Sequence, residues 1–155
     1  MLMINAYLAP STVHGIGLFA KEYIPAGSVI WKFHSYIDKI LSREKFLNIC
    51  KTLDNFTLSH FLCATYKRNG NYFYITDNAR FINHSEQGYN ILFRDDYTEI
   101  AVRDIHAEEE LLENYFISYD PNDFFCLEMK TQSSSQYLSL IESEQKCNAY
   151  NKNLS

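Results

Sequence analysis

The chain has 155 residues, 46% of them hydrophobic and 15% aromatic, with a formal charge of -5. That length suits one domain with a real core, and the composition excludes a disordered chain. The negative balance excludes nucleic-acid binding through a general basic face, because phosphate neutralisation needs clustered Lys and Arg; a mildly acidic surface favours basic peptides as partners.

The opening MLMINAYLAPS lacks a basic segment followed by a long apolar core, so no secretory signal is expected. Residues 4–8 alternate as a short strand does, closed by Pro10-Ser11. In Thr12–Ala20, TVHGIGLFA, two glycines two apart precede an apolar run. That pattern marks a loop where backbone approaches something closely, although a plain hairpin explains it as well. Ile24–Ser28 reads as a turn and Val29–Phe33 as a strand.

Helical signal begins at Ser42, an N-cap residue followed by Phe46, Ile49, Cys50 and Leu53 at helical spacing. Phe56–Ala64 reads as either helix or strand. Asn69-Gly70 is the strongest hairpin signal, followed by a strand over Tyr72–Ile75 and a turn at Asp77-Asn78. Phe81-Ile82 reads as a buried strand running into Asn83-His84-Ser85. Those three polar residues are a turn, an N-x-S glycosylation acceptor, or a site built around a ligand. Without a secretory signal the glycosylation reading loses its context.

Ile91–Phe93 and Glu99–Val102 read as two strands joined across Arg94–Tyr97, with a turn at Asp104–Glu109 and a last strand over Glu110–Tyr115. Taken alone, Glu108-Glu109-Glu110 is a solvated charge run. Residues 131–136 are Ser/Gln-rich, and 137–146 form at most a marginal helix. The expectation is one domain over 1–130, with a helical insert at about 42–64 and a polar tail over 131–155. The four cysteines, Cys50, Cys63, Cys126 and Cys147, form no C-x-x-C pair, so neither zinc nor a disulfide framework is signalled. No apolar run is long enough to cross a bilayer, and no membrane partner is expected. An intracellular location is expected, with cytoplasm, nucleus and delivery into a host cell left open.

Three ordered stretches resemble the SET domain of protein lysine methyltransferases. His14-Gly15-Ile16-Gly17-Leu18-Phe19-Ala20 is similar to its G-x-G-L-F-A segment, with Ile24-Pro25-Ala26-Gly27 following at the family's distance. Arg80-Phe81-Ile82-Asn83-His84-Ser85 matches its R-F-I-N-H-S core, and Glu109–Tyr115 its E-E-L-x-x-[DN]-Y ending. The resemblance implies a mainly β fold of small curled sheets, the β-clip, with a knot-like C-terminal segment and a short inserted helical region. It implies S-adenosyl-L-methionine as cofactor, held by His14, Gly15, Ile16, Gly17, Asn83 and His84. Tyr115 becomes the catalytic tyrosine, and Phe33, Tyr72, Tyr74, Phe93 and Phe124 the candidate walls of a lysine channel.

The substrate implied is a lysine on a protein, with a histone-like basic tail as one candidate. Glu86 stands where zinc-bearing members carry a cysteine after N-H-S, and Cys126 is alone beyond Tyr115; no metal is expected, and Phe124-Phe125 are candidates to close the site instead. Glu113 replaces an aromatic residue that in the family tunes how many methyls are added. The alternative is a SET-fold module that binds peptide or cofactor without efficient turnover.

Overall fold

The computed structural model describes residues 1–126, together with 138 and 139. Apart from those two residues, the expected tail over 131–155 lies outside the described residues. Among the described residues, three small sheets carry the fold. β1 (Ala6–Pro10) and β2 (Ile16–Ala20) pair antiparallel, with Ala6 opposite Ala20. β3 (Val29–Lys32), β7 (Asn83–His84), β8 (Ile91–Phe93), β9 (Thr98–Ala101) and β10 (Leu112–Glu113) form a sheet in the order β3-β9-β8-β10-β7. β4 (Lys39–Leu41), β5 (Thr65–Arg68) and β6 (Asn71–Tyr74) form the third, in the order β4-β6-β5.

The helical insert is a pair, α1 (Arg43–Cys50) and α2 (Asn55–Leu62), between β4 and β5. Ser42 caps α1, its hydroxyl accepting from Lys45 N at 3.3 Å. Phe56–Ala64, open between helix and strand in the sequence, is largely helix because Asp54 caps it. The Asp54 carboxylate accepts from Thr57 N at 2.9 Å and Thr57 Oγ1 at 3.0 Å, satisfying donors that a helix start leaves unpaired. Asn69 (φ 49°) and Gly70 (φ 74°) both take left-handed backbone between β5 and β6, as a tight two-residue hairpin turn requires.

Two sequence expectations need correction. Phe81-Ile82 is not a buried strand: Asn78–Phe81 is a 3-10 turn capped by Asp77, and the strand is Asn83–His84 itself. The last strand is only Leu112–Glu113, because the Asn114 side chain accepts from Phe116 N at 3.1 Å and starts a short helix, α3 (Tyr115–Ser118).

β10 lies between β7 and β8 and runs parallel to both, with Leu112 opposite Asn83 and Glu113 opposite Ile91. The C-terminal segment is thereby threaded between two strands joined by their own loop, which is the knot-like arrangement. Fully buried Asn90 fastens the crossing. Its Oδ1 accepts from Leu112 N at 2.8 Å, and its Nδ2 donates to Glu110 O at 2.8 Å. Two cores flank the site. One is built on Leu18, Ile30, Trp31, Phe73, Ile91 and Leu111 among the sheets, the other on Phe46, Leu47, Leu62, Tyr72 and Phe124 beneath the helix pair.

Candidate active site

A cavity of about 800 Å³ opens between the helix pair and the loop before β2, within the range of small-molecule sites. One wall is His14, Gly15, Ile16, Arg80, Phe81 and Asn83; the other is Ile49, Leu53, Phe61, Ala64 and their helix neighbours, with Tyr74, Tyr115 and Phe125 also lining it. None of the described lining residues is Asp or Glu, in a chain of net charge -5. Among the described lining residues Arg80 is the one side chain with a permanent charge, its guanidinium 5.0 Å from the Phe81 ring.

The polar end is Asn83. Its Nδ2 donates to His14 O at 2.9 Å, Ile16 O at 3.3 Å and Glu110 Oε1 at 2.9 Å. Three acceptors around one end of the amide fix which end is nitrogen. Oδ1 is therefore the atom left over, and nothing among the described residues donates to it. A ligand meeting Asn83 must bring a donor.

Gly15 has φ +50°, a conformation glycine adopts without strain. Gly17 is different: it does not line the cavity, and a Cβ there would overlap Glu110 Oε1. Its missing side chain makes room for the Glu110 carboxylate, which also accepts from Ser11 Oγ at 2.9 Å. Sequence reading missed Glu110, because a run of three glutamates looks like a solvated face; the signal was its place in the motif.

Tyr115 reaches the cavity from α3. Its hydroxyl donates to Ile82 O at 2.5 Å, and burial, reinforced by Glu113 and Asp123, holds the phenol well above the usual tyrosine range. The hydroxyl therefore stays protonated, with its hydrogen directed at Ile82 and an oxygen lone pair available to a ligand donor. His84 stands behind it and is not among the lining residues. Its Nδ1 accepts from Tyr115 N at 3.1 Å, and its ring packs 5.0 Å from that of Tyr115. Burial lowers the imidazole pKa, consistent with Nδ1 serving as an acceptor. His84 thus holds the tyrosine rather than the cavity.

The channel candidates separate. Tyr74 lines the cavity. Tyr72, two residues earlier on the same face of β6, is stacked on Phe46 at 3.8 Å in the second core. Phe93 packs with Trp31 and Phe73 in the first core, and Phe33 sits against Phe73 and Tyr97. Phe124 is buried in the second core, and it is Phe125 that lines the cavity, 5.5 Å from the Tyr115 ring. Among the described residues no group of His, Cys, Asp and Glu is placed to hold a metal ion.

A threaded C-terminal segment that brings a buried tyrosine and an N-H-S strand to one cavity defines a recognisable class. A family model for the SET domain matches residues 15–116, and the chain belongs to the SET-domain family. Among solved structures it is similar to a chain of the Chaetomium thermophilum polycomb repressive complex 2, at 23% identity and TM-score 0.56 over 78% of this chain and 16% of that one. A polycomb repressive complex 2 in an autoinhibited conformation bound to S-adenosylmethionine gives 22% identity and TM-score 0.52, covering 82% of this chain and 17% of that one. These likenesses establish the fold, and this chain spans about a sixth of those it matches. No curated protein matches the chain.

Proposed function

We infer that the protein transfers a methyl group from S-adenosyl-L-methionine to the side-chain amine of a lysine on a protein substrate. The observation that carries this is the cavity that brings Asn83, the Gly15 loop and Tyr115 together. Its residues fit the cofactor. Asn83 Oδ1 would accept from the amino group, Arg80 would meet the carboxylate, and the apolar helix wall suits the uncharged remainder. When bound, the cofactor supplies an electrophilic methyl on a sulfonium.

The chain's part is positioning and drying. Tyr115 Oη, its hydrogen committed to Ile82 O, offers a lone pair to an incoming amine N–H and aims it. Its raised pKa argues against a general base, so the amine must arrive neutral. An aromatic approach past Tyr74 and Phe125 would favour that form by penalising the ammonium. Alignment of this kind is worth on the order of 7–11 kcal/mol of a bimolecular barrier.

The related polycomb complex makes a histone tail one candidate substrate, and the chain's acidic charge suits a basic peptide. Incubation with labelled cofactor, histones and cell extract tests the reading, followed by mass spectrometry of labelled proteins. Label on lysine supports it. Cofactor binding with no label anywhere would leave a binding module instead.

A further inference from the structure

We propose that Glu110 is a positioning residue, whose carboxylate locks the Asn83 amide with its oxygen toward the cavity and so selects a ligand bearing an amino or ammonium group there. The proposal rests on the cofactor reading and adds to it the residue that enforces the selection. Glu110 joins the two segments that form the polar end. One carboxylate oxygen accepts from Asn83 Nδ2 at 2.9 Å, the other from Ser11 Oγ at 2.9 Å. Ser11 Oγ in turn accepts from Val13 N at 2.9 Å and His14 N at 3.2 Å, while His14 O accepts from Asn83 at 2.9 Å. The loop, the amide and the carboxylate thus close a ring of hydrogen bonds.

Glu110 is itself fixed. Phe19 of β2 bridges to it, Leu111 N donates to Leu18 O at 2.8 Å, and Gly17 leaves the space that its carboxylate fills. A carboxylate only accepts, so an Asn83 turned over would set its oxygen against Glu110 and two backbone carbonyls. Glutamine at 110 changes that rule without changing size: its NH2 can meet a flipped Asn83 oxygen. The backbone carbonyls cannot be edited, which makes Glu110 the adjustable part of the lock.

The test compares binding of S-adenosylhomocysteine with binding of the same molecule lacking its α-amino group, by calorimetry. Wild type is expected to prefer the amine by about 10-fold or more, the usual worth of a hydrogen bond to a charged group. Glu110→Gln is expected to shrink that preference to about threefold or less, with melting temperature nearly unchanged. Should that variant fold poorly, Gly17→Ala displaces the same carboxylate and carries the same expectation. A Glu110→Gln protein that keeps the full preference overturns the proposal and leaves the cofactor reading standing, as does a wild type that binds both molecules equally. A wild type that binds neither overturns the cofactor reading, and the proposal with it.

Discussion

Glu99 and Glu113 are two carboxyls buried in one sheet, on neighbouring sides of β8, and their effect on stability can be worked out. Glu113 Oε2 accepts from Tyr119 Oη at 2.5 Å, while Glu113 Oε1 and Glu99 Oε2 have no hydrogen-bond partner of ordinary geometry among the described residues. Burial raises the pKa of both, and for Glu99 the Glu113 carboxyl is the second cause, with Asp77 and Asp38 adding to it and the N-terminal ammonium opposing. A carboxyl whose folded pKa is raised stabilises the fold fully below its unfolded pKa, about 4.3. That contribution is lost as pH rises through the folded value. Glu99→Gln removes the ionisable group at constant volume. At pH 8 the variant is expected to be more stable by about 1–3 kcal/mol, because it is spared holding or ionising a buried carboxyl, where each pH unit of titration is worth about 1.4 kcal/mol. For a chain of this length that is about 2–4 °C of Tm per kcal/mol. Melting curves of both proteins from pH 4 to 9 give the answer as a difference. Asp54, Asp96, Asp104 and Glu109, whose pKa values are lowered by hydrogen bonds, destabilise both proteins in acid and cancel. The gain should vanish near pH 4 and grow with pH. Parallel curves, or a variant less stable at pH 8, would refute the account of a desolvated pair.

Three further outcomes are expected. Tyr115→Phe removes the hydroxyl proposed to aim the amine and should lower turnover by about 100-fold while leaving S-adenosylhomocysteine affinity nearly unchanged by calorimetry; because Ile82 O loses its donor, stability should also fall by about 1–3 kcal/mol. Gly17→Ala sets a Cβ against Glu110 and 3.2 Å from Phe19 Cε2, so cofactor affinity should weaken by about 10-fold, and a variant binding as wild type does would show that Glu110 can move freely. Gly70→Val places a β-branched residue at φ 74° in an open turn and should cost about 1–2 kcal/mol of stability in a denaturant melt, with cofactor affinity untouched.

The elements that the sequence revealed are those long enough to repeat a pattern or short enough to be dictated by one residue. Phe46, Leu47 and Cys50 put one apolar stripe on α1, and Asn69-Gly70 fixes a turn with two torsions. The threaded sheet was different. β7 and β10 have two residues each, and a period of two cannot be read from two residues. β10 and the start of α3 are held instead by residues far away in sequence, Asn90 accepting from Leu112 N and His84 of β7 from Tyr115 N, so only a motif announces them. The same limit explains why Glu110–Tyr115 read as one strand: what ends it is the Asn114 side chain folding onto Phe116 N, a local bond that hydropathy does not register.

The site divides along the same line. A motif carries its own backbone geometry, and His14, Gly15, Ile16, Asn83 and Tyr115 all reach one cavity, whereas Gly17 and His84 of the same motifs do not line it, the first making room for Glu110 and the second holding Tyr115. Aromatic residues outside a motif were assigned by type, and type does not say which way a side chain points. Tyr72 and Tyr74 share a face of β6, yet only the second extends past the Phe46 stack to the cavity. Phe124 and Phe125 are separated more sharply. Asp123 accepts from Phe125 N at 2.9 Å and from Lys67 N at 2.5 Å, so the chain turns at that residue while docked on β5. That turn sends Phe124 into the core beneath the helices and leaves Phe125 against Tyr115. Phe125, which lines this cavity, is thus placed by a buried aspartate, so Asp123→Ala should loosen Phe125 from Tyr115 without touching the Asn83 end. The expected signature is a fall in turnover with the preference for an amine-bearing ligand unchanged. If that preference collapsed together with turnover, the two ends of the cavity would not be independent, and assigning one to Glu110 and the other to Asp123 would be wrong.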